Sequence, residues 1–461
     1  MLLRVSVCLL VVGSLVVAQG QPQTASLILT GGIVVTMDAS GRVLSPGAVA
    51  VNGREIAAID TPEAIASRFS SQVVIDTTGQ VVMPGLINTH THAPMVLYRG
   101  LADDLALMDW LQKYIFPAET KTVTPAFVRA GTRLAALEMI ESGTTTYADM
   151  YYFEEEIARV TKDAGLRGVL GQTIIQFPVA DAKTPREGLT RTEAFIKEFA
   201  GDDLIVPAVA PHSMYTNDTA TLKAARALAD REHAPVLIHL SETEDEMKTS
   251  QTAHKATPAQ YLETINFWGP RTVAAHGVWL TPSDMTILAR HNVAVSHNPE
   301  SNMKLASGAA KVIAMQGAGI TVALGTDGAA SNNDLDMFEA MRQAAFLAKL
   351  QTHDPRAVPA RMALQMATID GARALGMDKQ IGSLETGKRA DIIAVSMTAA
   401  RQTPMYDPLS HLVYVTRGDD VRTTIVNGRM LMRDRKVLTL DESAVLNEAR
   451  ALADKVRAAI R

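Results

Sequence analysis

Short apolar runs and segments with helical spacing alternate along the middle of the chain, from residue 83 to about residue 377. The apolar runs are continuous, which is typical of strands that are buried on both faces of a parallel sheet. The segments between them, such as PAFVRAGTRLAALEMIESG and ATLKAARALADREH, have helical periodicity. The predicted strands are GLINTHTH, TTTYADM, LRGVLGQTIIQ, IVPAVAPHS, PVLIHLSE, TVAAHGVW, VAVSHNP and TVALGTDG.

Eight strand–helix units in this region predict a (β/α)₈ barrel, and we place it over residues 83–377. The length agrees with this fold, whose typical size of about 250 residues leaves room for insertions. The predicted fold class is therefore α/β, with a TIM-like barrel as the main domain.

Both ends of the chain have a different pattern, in which short β-type runs alternate with Gly, Asn and Asp turns. Residues 26–82 and 378–437 share it, and Asn52-Gly53 and Asn427-Gly428 are strong hairpin signals. We predict one small β-sandwich built from both segments. Two unrelated hairpins are the alternative, but an isolated hairpin is marginally stable at best. Residues 441–461 have helical spacing and are predicted to form a C-terminal helix.

The first 18 residues are predicted to be a signal peptide. A positive charge at Arg4 precedes an uncharged apolar stretch of about 13 residues, and Ala18 before Gln19 offers a cleavage site. The stretch is too short to span a bilayer, so no stable membrane insertion is expected after cleavage. An uncleaved anchor is the alternative. We expect an exported protein, periplasmic or secreted. The single cysteine, Cys8, lies in this segment, so any metal ligands in the mature chain must be histidines and carboxylates.

Charge and composition narrow the possible partners. The formal net charge is −5 and aromatic residues make up 5% of the chain, so there is neither a basic footprint nor a stacking platform for nucleic acid. We therefore expect a small-molecule substrate and no nucleic-acid partner.

Polar residues cluster where the predicted strands end, which is where barrel enzymes carry their chemistry. These residues are His90, His92, Asp149, His212, His239, Glu242, His276, His297 and Asp327. The remaining histidines lie in helices or loops and are predicted to be solvated; they are His233, His254, His291, His353 and His411.

His90 and His92 are two residues apart on one strand, so their side chains point to the same side. With His239 and Asp327 they give a set of three histidines and one carboxylate. This set suits one divalent ion, most commonly Zn²⁺ and also Fe²⁺ or Mn²⁺. The alternative is a group of hydrogen-bonded core histidines.

A metal of this kind would lower the pKa of its bound water toward about 7 and so provide hydroxide for hydrolysis. Glu242 follows His239 by three residues and is placed to transfer a proton to a ring nitrogen or leaving amine. His276 is a candidate to orient the hydroxide or stabilise developing charge, and Asp327 to accept the proton of the water. A structural carboxylate is the alternative for Glu242.

Five motifs in this order resemble the amidohydrolase superfamily, and within it the deaminase/chlorohydrolase branch: PGLINTHTHAP, HLSET, AAHGVWL, SHNPESNMKLASG and LGTDGAASNN. The resemblance covers residues 26–437. It implies that His90, His92, His239 and Asp327 are the metal ligands and that Glu242 and His276 handle protons. No lysine ends the fourth strand, which implies a site for one metal ion.

The segment 98–119, YRGLADDLALMDWLQKYIFPAE, is predicted to form a long loop over the active site. It resembles the corresponding segment of 5′-methylthioadenosine/S-adenosylhomocysteine deaminases. The resemblance implies that Trp110 packs beside a nucleoside, that Glu119 accepts hydrogen bonds from ribose hydroxyls and that His212 contacts the purine. An amphipathic helix with a packed indole and a solvated acid is the alternative. Arg186 is the one candidate found for binding an amino-acid carboxylate.

We therefore expect a metal-dependent aminohydrolase that deaminates adenine nucleosides such as 5′-methylthioadenosine, S-adenosylhomocysteine or adenosine, and releases ammonia. The first alternative keeps this machinery for another heterocycle, such as guanine, 8-oxoguanine, cytosine or an s-triazine chloride. The second is a non-catalytic barrel that serves in binding or assembly. The resemblance also implies a possible homo-oligomer.

Overall fold

The computed structural model describes residues 21–460. The predicted signal peptide, residues 1–18, lies outside this range. Among the helices within it, none combines the length and the apolar character needed to cross a membrane.

The middle of the chain forms a barrel of eight parallel strands that pair in sequence order. All residues are buried in seven of the eight, as their continuous apolar runs predict. The predicted (β/α)₈ barrel is confirmed. Its strands are Leu86–Thr91, Thr144–Tyr151, Arg167–Ile174, Ile205–Pro211, Val236–Leu240, Thr272–His276, Ala294–His297 and Val322–Leu324.

Hydrogen bonds between the first and last strands bring the ends of the barrel together. The backbone amide of Asp327 donates to the carbonyl of His90 at 3.0 Å. The Thr89 hydroxyl donates to the carbonyl of Leu324 at 2.8 Å, and the Asn88 amide donates to the hydroxyl of Thr326 at 2.7 Å. The first and last strands therefore approach each other next to His90 and Asp327.

Helices surround the barrel, and several begin with a threonine or aspartate whose side chain accepts a backbone N–H, as N-caps do. The helices that follow the first four strands are Leu107–Trp110, Phe116–Thr122, Pro125–Ser142, Glu154–Ala164, Pro185–Glu198 and Thr219–Glu232. Those that follow the last four are Glu244–His254, Pro258–Thr264, Pro282–Arg290, Pro299–Lys304, Val312–Gly317, Met337–Thr352, Ala360–Met366 and Ile369–Ala374. Helices outside the barrel are Pro62–Arg68, Pro408–Tyr414 and Glu442–Ile460.

The two ends of the chain build a common sheet, as predicted. Strand Ile392–Ser396 pairs with Gln80–Pro84, which joins the C-terminal segment to the N-terminal one. The sheet has nine strands in one hydrogen-bonded network, and most of the pairings are antiparallel. Its remaining strands are Leu27–Val35, Val43–Asn52, Glu55–Asp60, Val74–Asp76, Val421–Val426, Arg429–Arg433 and Lys436–Val437. A separate short pair joins Gln23–Thr24 to Phe69–Ser70.

A buried ion pair fixes this sheet to the barrel. Arg167, at the start of the third barrel strand, donates through Nε and Nη2 to the carboxylate of Asp391 at 3.2 Å each. Asp391 also accepts the backbone N–H of Asn427. Because both charges are buried, removal of one partner would cost about 3–5 kcal/mol.

Candidate active site

The predicted metal ligands converge at the carboxyl ends of the barrel strands. His90 Nε2 lies 3.4 Å from Asp327 Oδ1, and His92 Nε2 lies 3.3 Å from the same oxygen. His239 Nε2 lies 3.3 Å from His92 Nε2. Three strands far apart in sequence thus bring three imidazoles and one carboxylate to a single point.

Backbone carbonyls orient two of the imidazoles. His92 Nδ1 lies 2.6 Å from the carbonyl of Met150, and His239 Nδ1 lies 2.7 Å from the carbonyl of His212. Since a carbonyl only accepts, each Nδ1 carries a proton, and each Nε2 points toward the centre. Against the effect of burial, the neighbouring Asp327 carboxylate raises the pKa of His92 to about 9, so a metal ion would replace a proton on His92 Nε2.

A divalent ion fits this donor set. His90 Nε2 is buried and has no hydrogen-bond partner among residues 21–460. Burial disfavours the charged imidazolium and lowers the pKa of His90 to about 4, which favours the neutral form that binds metals. The same cause holds the pKa of His239 well below its usual value. The residues therefore suit a divalent metal ion that accepts imidazole nitrogen and carboxylate oxygen as ligands.

The two carboxylate oxygens of Asp327 have different hydrogen-bond partners. Oδ1 faces the histidines and accepts the backbone N–H of Gly328 at 2.8 Å. Oδ2 accepts the hydroxyls of Ser301 at 2.7 Å and Ser331 at 2.8 Å. These serines were missed in the sequence, although both lie in the quoted motifs SHNPESNMKLASG and LGTDGAASNN.

Glu242 and His276 lie beside the ligand cluster and face each other. Glu242 Oε2 is 3.7 Å from His276 Nε2, and both side chains are buried. His276 Nδ1 lies 2.9 Å from Asn302 Oδ1 and 3.4 Å from Asn298 Nδ2. The shorter contact, to an oxygen that only accepts, favours a proton on Nδ1 and leaves Nε2 as the acceptor. Burial raises the pKa of Glu242 above the ordinary value of a glutamate, which makes proton exchange near neutral pH easier for this side chain.

The backbone at this position is unusual. His276 has φ of 76° and Asp327 has φ of 65°, both in the left-handed region. Such a conformation costs about 1–2 kcal/mol for a residue with a Cβ atom. Non-glycine residues in this region cluster at active sites, and these two belong to the ligand and proton-transfer groups.

One cavity connects the ligand cluster with the predicted substrate-binding residues. It has about 580 Å³ of empty space, part of which is open to solvent, and its lining includes His92, His239, Glu242, His276 and Asp327. The lining also includes Trp110, Glu119, His212, Tyr151 and Tyr215. The tyrosines were missed by sequence reasoning because no motif marks them.

The wall that carries Trp110 and Glu119 is helical, so the predicted long loop is wrong for this part of the segment. The helix runs through Leu107–Trp110, a π-helical turn Leu111–Ile115, and Phe116–Thr122. The segment is helical because its apolar residues, which include Leu107, Leu111 and Ile115, lie on one face and pack on the core. π-Helical turns occur frequently at functional sites.

Glu119 is not a solvated acid, because its side chain is buried and borders the cavity. The hydroxyl of Tyr151 donates to Glu119 Oε1 at 2.7 Å. Burial raises the pKa of Glu119 to about 7, although the Tyr151 hydrogen bond acts in the opposite direction. The indole N–H of Trp110 is buried and has no partner in the described part of the chain.

Arg186 does not reach this cavity. It is exposed near the start of helix Pro185–Glu198 and lines a separate depression with Asp181 and Arg191. The loop that precedes the helix carries Arg186 to the outer surface of the barrel. The structure therefore does not bring Arg186 together with the other predicted substrate-binding residues.

Two other residues at strand ends, Asp149 and His297, lie outside the ligand cluster. Asp149 accepts the Thr91 hydroxyl and the Ala93 amide at 2.5 Å each and so fixes the turn after the first strand. His297 is buried at the end of the seventh strand, where its Nδ1 has no partner within residues 21–460. Of the five histidines predicted to be solvated, His233, His254 and His353 are exposed, and His291 and His411 are half-buried.

The barrel and its cluster of three histidines and one aspartate define the class: a metal-dependent hydrolase with a (β/α)₈ fold. The chain belongs to the Amidohydrolase family, whose model matches residues 81–431. The resemblance found in the sequence is thereby confirmed.

The relatives of this chain include several deaminases. A 5-methylthioadenosine/S-adenosylhomocysteine deaminase from Syntrophobacter fumaroxidans is 46% identical and covers 94% of this chain and 99% of its own. A 5′-deoxyadenosine deaminase from Methanococcoides burtonii is 44% identical over 93% of this chain and 97% of its own. The crystal structure of an adenosine deaminase from Xanthomonas campestris with bound zinc is similar at a TM-score of 0.93 and 38% identity, over 95% of this chain and 100% of that one.

Proposed function

We propose that this protein removes the 6-amino group of an adenine nucleoside as ammonia, with 5′-deoxyadenosine, 5′-methylthioadenosine, adenosine and S-adenosylhomocysteine as the substrate class. The observation that carries the proposal is one cavity that holds the ligand cluster, the Glu242–His276 pair and the buried carboxylate of Glu119. The names of the relatives support the same substrate class.

The ion proposed for the site is Zn²⁺, with Fe²⁺ or Mn²⁺ as alternatives that accept the same ligands. A divalent ion held by His90, His92, His239 and Asp327 would act as a Lewis acid and make a water molecule nucleophilic at neutral pH. The zinc in the similar adenosine deaminase structure supports this choice.

The chain's own side chains handle the protons. Glu242, whose pKa is raised by burial, is placed to donate a proton to the ring nitrogen next to C6, which makes that carbon more electrophilic. His276 Nε2 is free to accept a hydrogen bond from the attacking water. Asp327 Oδ2 is occupied by two serine hydroxyls, so Oδ1 is the carboxylate oxygen that would accept the proton of the attacking water. Transfer of this proton to the amino group would let the group leave C6 as ammonia.

Glu119 and Trp110 are proposed to bind the sugar. A carboxylate accepts two vicinal hydroxyl hydrogens at once, and such charge-assisted bonds are stronger than neutral ones. The indole of Trp110 supplies a flat apolar surface in the same cavity, and His212 borders the space for the purine.

A substrate panel tests the proposal. Purified protein is mixed with 5′-methylthioadenosine, 5′-deoxyadenosine, adenosine, S-adenosylhomocysteine, adenine and guanine, and turnover is read by ultraviolet shift and ammonia release. We expect turnover of adenine nucleosides, with a large loss of kcat/KM in Glu119→Ala for nucleosides but not for free bases. No turnover of any nucleoside would contradict the proposal.

The metal is tested separately. His239→Ala should lose most of the bound metal and at least about a thousandfold in kcat, whereas His254→Ala, on an exposed helix end, should match the parent. Elemental analysis gives the stoichiometry and the identity of the ion. Full activity of His239→Ala under strict chelation would exclude the assigned site.

We also propose that the protein is exported and that residues 1–18 are removed. The support is the charge and apolar pattern of the first residues. Cell fractionation combined with N-terminal sequencing tests this point. A mature chain that begins at Met1 in the cytosol would contradict it.

A further inference from the structure

A second cavity, which opens to solvent, lies beside the active-site cavity and has about 1390 Å³ of empty space. We call it the outer cavity. Phe116, Glu119 and Tyr152 line both spaces and form the wall between them. A ligand that contacts Glu119 from the inner side is therefore next to the outer cavity.

The outer cavity is largely apolar. Phe177 is 39% exposed, and its ring meets that of Phe116 edge to face with centroids 5.6 Å apart. An exposed aromatic ring in a concave surface favours a ligand group that removes it from water, at roughly 25 cal/mol per Å² of buried apolar surface. The other apolar lining residues are Pro117, Pro178, Val179 and Ala180.

Positive charge is scarce in the outer cavity. Among the described residues that line it, Lys121 is the one cation, and its Nζ donates to the carbonyl of Ala459 in the C-terminal helix at 2.8 Å. Arg186 lines a different depression. The nearest carboxylate, Glu119, would repel a second one. A bound amino-acid carboxylate would thus meet a single ammonium group, already bonded to Ala459, and no guanidinium that could bind both of its oxygens.

We propose that the outer cavity binds the 5′ substituent of the nucleoside and selects a small apolar group over an amino-acid group. The inference rests on the proposed function. With the 6-amino group at the ligand cluster and the vicinal hydroxyls at Glu119, the 5′ carbon is the part of the ribose that borders the outer cavity. 5′-Methylthioadenosine and 5′-deoxyadenosine are then better substrates than S-adenosylhomocysteine.

The parent protein gives the first test, through kcat/KM for these three nucleosides and adenosine. We expect 5′-methylthioadenosine to exceed S-adenosylhomocysteine by at least about tenfold, since a polar group that loses its partners is strongly rejected. Equal or higher values for S-adenosylhomocysteine would overturn the subsite while leaving the proposed function intact. Failure of all four nucleosides would instead overturn the proposed function.

Phe177→Ala tests the apolar wall. The ratio of kcat/KM for 5′-methylthioadenosine to that for adenosine should fall about tenfold, because the methylthio group loses its aromatic contact. Phe346→Ala is the matched control, since Phe346 is 49% exposed on helix Met337–Thr352 and does not line the cavity. An unchanged ratio in a Phe177→Ala protein with parental thermal stability would overturn the subsite.

Ala180→Arg tests the charge argument. Ala180 is exposed and lines the outer cavity, so a guanidinium placed there has room to meet a carboxylate. We expect kcat/KM for S-adenosylhomocysteine to rise about tenfold in Ala180→Arg but not in Ala180→Gln, because a charge-assisted bond is the stronger one. No rise in the arginine variant, or an equal rise in both, would overturn the charge argument.

Discussion

The backbone amide of Asp327 donates a hydrogen bond to the carbonyl of His90 at 3.0 Å, which links two predicted metal ligands through the main chain. This bond also joins the segment after the eighth barrel strand to the first strand. The same contact therefore helps to close the barrel and to hold two metal ligands next to each other. A change that separates these strands should weaken metal binding even when no ligand is altered.

Gly325 tests this link. A Cβ atom at this position would lie 2.5 Å from Asn298 Oδ1, 2.7 Å from Ser296 Oγ and 2.9 Å from the backbone nitrogen of His90. We expect Gly325→Ala to cost about 1–3 kcal/mol of stability, as overpacking does, and to release metal more easily. Gly317→Ala is the control, because its Cβ would meet nothing within 4 Å. Thermal denaturation and chelator competition measure both effects; parental metal affinity in Gly325→Ala would contradict the link.

Ser301 and Ser331 should tune metal affinity through Asp327. Each hydroxyl donates to Oδ2, so loss of either one leaves the carboxylate less firmly oriented. We expect Ser301→Ala and Ser331→Ala each to weaken metal binding by about 10–100-fold, as changes behind the ligands do. Ser283→Ala, at an exposed helix position, should have no effect. Titration with a chelator of known affinity decides, and unchanged affinity in both serine variants would show that Asp327 is oriented by other contacts.

The barrel was predictable because its strands are buried on both faces and so appear as continuous apolar runs. His90, His92, His239 and Asp327 were also predictable as neighbours, since strand ends meet at one face of a barrel. Tertiary contacts could not be predicted in the same way. The serines that bind Asp327 Oδ2 and the Tyr151 hydroxyl that binds Glu119 are known only once the loops are packed.

Arg186 and the segment 98–119 show where pattern reasoning lost accuracy. The charge of Arg186 predicts a carboxylate-binding role, but its position depends on the direction of the loop before helix Pro185–Glu198, which periodicity does not determine. In the segment, Gly100 and the paired aspartates favour a loop, but the apolar residues from Leu107 onward pack on the barrel and form a helix. The burial of these apolar side chains thus decided the conformation of this part of the segment, against the local preference for a loop.

Glu242→Gln separates proton transfer from metal binding. Glutamine has a similar shape but cannot deliver a proton and take it back, so kcat should fall by about 10²–10⁴-fold. Metal content should stay at the parental value because Glu242 is not among the four ligands. Glu244→Gln, two residues further on and exposed, serves as the control. A Glu242→Gln protein with parental kcat would remove Glu242 from the reaction.

Glu119 gives the site a pH dependence whose direction follows from its burial. Its pKa is raised to about 7, with burial as the main cause and the Tyr151 hydroxyl opposing it. Tyr98, Tyr151, Tyr152 and His92 are the titratable groups that interact with it. Above this pKa the carboxylate accepts both ribose hydroxyls, and below it the protonated group offers fewer acceptor sites.

We therefore expect kcat/KM for adenosine to rise by roughly tenfold or more as the pH increases through about 7, because a hydrogen bond to a charged group contributes about 1.5–3 kcal/mol. Glu119→Gln should lack this rise because an amide does not titrate in that range. In the parent protein, 2′,3′-dideoxyadenosine should also lack it, since it has no vicinal hydroxyls to donate. The profile is measured in one buffer system at constant ionic strength, with metal content checked at each pH. An identical rise with the dideoxy substrate would assign the titration to a group other than Glu119 and would leave the ribose contact unsupported.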